Sequence, residues 1–309
     1  MNLKSLNQTN LYGFSNYFND LKKLYSQDKF PNKVIFSGEK GIGKCTMAYH
    51  FINYVLSLDE DFAYDLKNFQ INIENKSFKL VQNGTNPNFN LIDVIEDKKN
   101  IDIDQIRNLI LKLNKSSFNQ KPRFILIDNI ELLNVNSINA LLKILEEPNY
   151  NINFILINNN KKILPTLKSR CLNFKISLTY DQSIEIINKI LKKNVFDSLN
   201  AEFINHYSTP GQLYKIIDFS KEINNESKNI NLKEFLSLII NKKYFKKDKS
   251  IKYLIYSLIE FYFRKNTSVD NIKLLDIHYY FLKKIDNTMR FNLDDESFFI
   301  EFEDKVLNG

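Results

Sequence analysis

Three of the chain's seven glycines, Gly38, Gly41 and Gly43, fall within six positions, and Lys44 follows the last of them. An apolar run (Val34, Ile35, Phe36) precedes the loop, and apolar residues at helical spacing (Met47, Ala48, Phe51, Ile52, Val55) follow it. A glycine loop between a strand and a helix lets backbone N–H groups approach phosphate oxygens, and the helix N-terminus adds partial positive charge. The spacing is that of the phosphate-binding loop G-x4-G-K-[ST], with Lys44 set to reach the β- and γ-phosphates. Cys45 stands where that pattern has a hydroxyl for Mg²⁺. A thiol is a poor ligand for so hard an ion, and Thr46 lies about 100° further round the helix.

Three more residues have chemistry suited to such a loop. Asp128 ends the apolar run FILID, and a strand-end carboxylate can hold a nucleotide's Mg²⁺ directly or through water. Asn158 ends the next apolar strand, FILI, where an amide can orient water or touch a γ-phosphate; a plain strand-end Asn fits the same text. Arg170 sits in Ser169-Arg170-Cys171, one of few arginines among many lysines. Its planar guanidinium suits a phosphate clamp better than an ammonium does, and taken alone it fits a salt bridge equally well.

The elements that must position these groups alternate up to about residue 176. A strand at 33–36, a helix from Thr46 to about Leu58, a helix over IDIDQIRNLILKL, the strand 124–128, a helix through INALLKILEE ended by Pro148, and the strand 154–157 follow one another. Continuously apolar strands between helices predict a parallel sheet covered on both faces. The polar stretch 59–100 shows no clear period. After about 178 the text reads as helices: DQSIEIINKILKK, DSLNAEFINHY, PGQLYKIIDFSKEI, NLKEFLSLII, the segment 250–264 and NIKLLDIHYYFLKKI, with the lysine-rich 241–249 as a solvated connector.

The chain is 309 residues long and 43% hydrophobic, including 25 Phe and 16 Tyr, enough for a sizeable core. Its net charge of +7 comes mostly from dispersed lysines, which read as solvated surface more readily than as a nucleic-acid groove. Two distant cysteines, Cys45 and Cys171, suggest neither disulfides nor a zinc site and point to a reducing cytoplasm. The N-terminus lacks a signal-peptide core, and YLIYSLIEFYF is too short and too charged for a membrane span.

The motifs GEKGIGKCT, FILIDNIELL, SINALLKILEEP and ILPTLKSRC occur in that order, with LYGF at 11–14 and STPGQL at 208–213. Together they resemble the clamp-loader branch of the AAA+ ATPases, and within it the delta-prime family of the bacterial DNA polymerase III clamp loader. The resemblance is strong to about residue 215 and architectural beyond. It implies an α/β fold followed by an all-α region: an AAA+ P-loop parallel-sheet domain over 1–177, a small helical lid over 178–228 and a helical collar over 229–309. It also implies a hetero-oligomeric ring with gamma/tau and delta subunits, which would load a sliding clamp on primed DNA.

Against an active member of that branch, three positions differ. Cys45 replaces Ser or Thr, Asn129 stands where a water-orienting Glu follows the strand-end Asp, and Gln212 follows Pro210-Gly211 where the lid has Arg. Arg170 remains, and in this family it acts in trans on a neighbour's nucleotide. The resemblance therefore implies a largely hydrolysis-deficient subunit that donates an arginine finger. ATP or ADP with Mg²⁺ held without turnover, and an empty pocket, both fit Gly38, Gly41, Gly43, Lys44, Cys45, Thr46, Asp128 and Asn158. Residues 59–100 contain no cysteine, so no zinc is expected. The alternatives are an active AAA+ ATPase, as a gamma/tau-type motor or helicase loader, and a nucleic-acid-binding module with a vestigial loop.

Overall fold

The computed structural model describes residues 4–308 apart from 96, 97, 99, 115–118, 147–150, 207, 223–228, 247, 248, 267–271 and 292. Pro148 and the expected lid–collar boundary at 228 therefore lie outside the described residues. The chain forms two compact units, Met1–Ile186 and Ile187–Gly309.

The first unit is built on five parallel strands: β1 (Lys33–Ser37), β2 (Phe89–Ile92), β3 (Arg123–Ile127), β4 (Ile152–Asn158) and β5 (Leu172–Lys175), in the order β2-β3-β4-β1-β5. Successive side chains alternate between the two faces, and each face has its own core. Val34, Phe36, Phe124, Leu126, Ile155 and Ile157 pack with α1 (Ser15–Ser26), α2 (Lys44–Leu56) and α3 (Lys76–Gln82). Ile35, Ile125, Ile127, Phe154 and Leu156 pack with α4 (Ile103–Leu113), α5 (Val135–Glu146) and the single turn α6 (Pro165–Lys168). The sheet covered on both faces is the arrangement its apolar strands predict.

Two segments depart from the reading of the sequence. The 59–100 stretch contains α3 and β2, neither of which is marked by a clear period. Asn75 caps α3 by accepting from the Phe78 N–H at 2.7 Å, and β2 is a four-residue strand with only Ile92 fully buried. The described part of DSLNAEFINHY, 197–206, is not an α-helix: it holds the 3-10 turn Ala201–Phe203, and a second such turn, Val195–Asp197, ends at its first residue. Asn194 and Asn200 each accept from an N–H two residues on, an interaction that competes with helical bonding.

The second unit is helical. After α7 (Tyr180–Leu191), which crosses the division between the units, come α8 (Pro210–Glu222), α9 (Leu232–Asn241), α10 (Lys249–Asn266), α11 (Ile272–Phe291) and α12 (Asp295–Phe302). Its core is aromatic: Phe235, Tyr256, Phe263, Phe281, Phe298, Phe299 and Phe302 are all buried. No described helix is long and apolar enough to cross a membrane.

At Gly38 the loop runs close against the backbone that follows β5. A Cβ there would lie 2.1 Å from the Ile176 carbonyl oxygen, a backbone atom that cannot swing aside. Gly38→Ala is expected to cost about 2–3 kcal/mol, comparable to other overpacked sites. A urea midpoint equal to that of the parent chain would refute this.

Candidate functional site

Strand order assembles the site. Because β4 lies between β1 and β3, the loop after β1 and the acid after β3 flank the end of β4. The registers Ser37↔Asn158, Ile127↔Leu156 and Ile92↔Ile127 bring the residues that follow these strands to one edge of the sheet. Gly41 and Gly43 have φ of 87° and 106°, left-handed values that side-chain-bearing residues rarely adopt, and Gly43 caps α2. The helix begins at Lys44, so Lys44, Cys45 and Thr46 form its first turn.

Lys44 is 3% exposed. Its Nζ donates to the carbonyls of Gly38 (2.8 Å) and Glu39 (2.6 Å) and to Asn159 Oδ1 (3.0 Å). Its three N–H groups thus have three acceptors from the chain itself. Burial pulls its pKa down to about 8, against the opposing pull of Asp128, Glu131 and Glu39. Asp128 follows β3 as the sequence predicts. Burial, reinforced by Asp93, pushes its carboxyl up to about 6. The Cys45 thiol lies against this carboxyl, with Ser5 also beside it, and burial pushes the thiol well above its ordinary range.

Asp93 is a member of this cluster that the sequence reading passed over. It ends the run FNLID just as Asp128 ends FILID, and that repeated pattern was the available signal. Asp93 Oδ1 accepts from Asn129 Nδ2 at 2.8 Å, so the amide that follows Asp128 is tied to a second carboxylate. Asn129 itself has a left-handed backbone, φ 55°.

Asn158 is the last residue of β4. Its side chain is buried and its Nδ2 donates to the Lys161 carbonyl at 3.0 Å, with Oδ1 unpartnered. The next residue, Asn159, is the one that bonds Lys44. It accepts from Lys44 and donates to Asn129 Oδ1 (2.9 Å) and Glu131 Oε1 (2.7 Å). Glu131, in the 3-10 turn Ile130–Leu132, is therefore joined to Lys44 through one amide. Gln212 is the third residue of α8, in the second unit.

Arg170 emerges at the other edge of the sheet. Leu172, two residues on, pairs with Val34, whereas the glycine loop leaves after Ser37. At about 3.3 Å per residue, the intervening strand alone separates them by roughly 10 Å. The guanidinium is exposed; Nη2 contacts Glu146 Oε1 at 2.5 Å and Nη1 donates to the Thr166 carbonyl at 3.0 Å. The following Cys171 packs inward against the second core, and burial pushes its thiol up to about 11.

The loop and the start of α2 suit a phosphate group, whose oxygens would have to replace the acceptors now held by Lys44. The metal end suits Mg²⁺ poorly. A protonated thiol is not a ligand for it, which leaves the Asp128 carboxyl, ionised at neutral pH, as the hard donor beside it. Among the described residues no group of three or more His, Cys, Asp or Glu is placed to hold a metal ion.

Comparison with known proteins agrees with the motifs. A family model described as "DNA polymerase III, delta subunit" matches residues 14–179, more than half of the chain. The gamma subunit of DNA polymerase III from Buchnera aphidicola subsp. Schizaphis graminum is 29% identical over 233 residues, covering 71% of this chain and 60% of that protein. The delta' subunit from Pseudomonas aeruginosa is 33% identical over 150 residues, covering 48% of this chain and 44% of that protein. The chain thus spans about half the length of the curated relatives it matches. A solved structure of a gamma subunit-related protein from Thermotoga maritima aligns over 91% of this chain and 96% of that one, at 16% identity and a TM-score of 0.45. With the motif order, the parallel sheet and the matched family in agreement, the chain belongs to the DNA polymerase III delta-subunit family and is delta-prime-like.

Proposed function

We propose that this chain serves in a bacterial clamp loader as a subunit that hydrolyses ATP poorly or not at all at its own loop and presents Arg170 to nucleotide held by a neighbour. Its partners would be gamma/tau- and delta-type subunits in the cytoplasm, and the assembly would place a sliding clamp on primed DNA. The observation that carries this reading is the position of Arg170: exposed, and at the sheet edge opposite the chain's own glycine loop. There it cannot serve Lys44's pocket and is free to serve another. The groups at the chain's own site support the other half of the reading. Cys45 and Asn129 stand where a metal ligand and a water-orienting acid would be needed, and phosphoryl transfer depends almost wholly on such positioning and charge. Any ATP or ADP held here would be held by the loop N–H groups and Lys44, without turnover.

The rival reading, an active ATPase, draws on the gamma-subunit relatives and on Glu131, which Asn159 couples to Lys44. Both readings meet one experiment. The purified chain is mixed with gamma/tau- and delta-type subunits and a clamp, and ATP hydrolysis is followed with primed DNA. Arg170→Ala should lower the rate at the dependent site by about tenfold or more, as loss of an arginine finger does. Turnover by the isolated chain at the rate of the assembly, or an Arg170→Ala assembly at full rate, would overturn the proposal.

A further inference from the structure

We infer that Glu146 is a positioning residue for Arg170: it holds the guanidinium in a fixed, outward orientation so that the remaining N–H groups face a neighbour's phosphate. This rests on the reading of Arg170 as a finger in trans. Glu146 is the last residue of α5, and Arg170 follows the single turn α6. The two are 24 residues apart and meet only because α6 packs beside α5. A guanidinium carries five N–H donors in one plane. One on Nη2 goes to Glu146 Oε1 at 2.5 Å and one on Nη1 to the Thr166 carbonyl at 3.0 Å, which leaves three in the same plane. The Thr166 carbonyl also accepts from Ser169 Oγ at 3.0 Å, so the turn that carries the arginine is itself fastened. Inward packing of Cys171 fixes the backbone on the other side.

The pair is open to solvent, with the side chains of Arg170 and Glu146 34% and 54% exposed. Exposed ion pairs add little to stability. Holding an arginine in one orientation, however, lowers the entropy cost of presenting it to a transferring phosphoryl group.

The test is a double-mutant cycle on the assembled ATPase with primed DNA. Glu146→Ala should lower kcat by roughly three- to tenfold, with the KM for ATP within about twofold of the parent, because orientation and not ground-state binding is lost. Glu146→Gln, which keeps an acceptor oxygen for Nη2, should recover more than half of that loss. The double variant Glu146→Ala/Arg170→Ala should be no slower than Arg170→Ala alone, because Glu146 acts through the arginine. A thermal melt of Glu146→Ala matching the parent separates this loss from misfolding. Three results would overturn the inference while leaving the finger intact: a Glu146→Ala rate equal to the parent's, a faster rate (showing that Glu146 competes with phosphate), or a double variant slower than Arg170→Ala. An Arg170→Ala assembly at full rate would remove the finger, and this inference with it.

Discussion

Replacing Asp128 by Asn should raise the stability of the first unit by about 3 kcal/mol at pH 7. The carboxyl is pushed from 3.8 to about 6, burial being the larger cause and Asp93 the second. At 1.36 kcal/mol per pH unit, the charged form therefore costs about 3 kcal/mol in the folded chain. The folded pKa lies above the unfolded one, so the unfolded chain gives up its proton first as pH rises. Stability is then lost between pH 3.8 and about 6 and stays lost at neutral pH. The amide keeps the acceptor that the Asn129 N–H and the thiol use but carries no charge. The gain should shift the melting temperature by roughly 6–12 °C for a unit of this size and shrink to nothing near pH 4. The check is urea denaturation of parent and variant at several pH values, followed by far-UV circular dichroism. A variant no more stable than the parent at pH 7, or a gain that does not change with pH, would count against the buried-charge account.

His50 should show the opposite pH dependence with a similar magnitude. It lies wholly buried on α2; Nδ1 is 2.9 Å from the Tyr64 hydroxyl and Nε2 is 3.1 Å from the Gln8 carbonyl. A carbonyl only accepts, so Nε2 carries the proton, and Nδ1 accepts from the tyrosine. Burial pulls the imidazole down to about 4, with the Gln8 carbonyl opposing. Here the folded pKa lies below the unfolded value of 6.5, so the unfolded chain takes up the proton first as pH falls. Stability contributed by the neutral ring is complete above pH 6.5 and is lost on the way down to about 4, by about 3 kcal/mol in all. Asp128 gains over nearly the same range, so the two slopes largely offset each other in the parent chain. In His50→Gln, the stability difference from the parent should move in the variant's favour by about 3 kcal/mol between pH 6.5 and 4. The variant is expected to be less stable than the parent at pH 7, where the packing of the ring is missed; the readout is the slope, not the offset. A difference independent of pH would show that His50 does not titrate in the unfolded chain alone. Acid should first loosen the contact with Tyr64, because the incoming proton occupies the Nδ1 lone pair to which that hydroxyl donates, whereas the Nε2 bond to the Gln8 carbonyl persists.

The local chemistry was legible in the sequence. Glycines with left-handed backbones, a lysine at the start of a helix, apolar strands closed by Asp128, and the S-R-C triplet are properties of short stretches, and short stretches dictate backbone conformation and which residues avoid water. Four features depended on the tertiary structure. Asp93 belongs with Asp128 only because β2 pairs with β3, and a strand order cannot be read from either run. At the end of β4 stand three consecutive asparagines; strands alternate faces, so a single residue decides which one meets Lys44, and the structure selects Asn159. Glu131 enters the Lys44 network through that same amide. Arg170 lies beyond the reach of its own loop because β5 runs parallel to β1, and it meets Glu146 across 24 residues of chain. Periodicity tells a side chain which face to seek. What it meets there is set by which strands lie side by side and in what register, and those pairings are contacts between segments far apart in the chain.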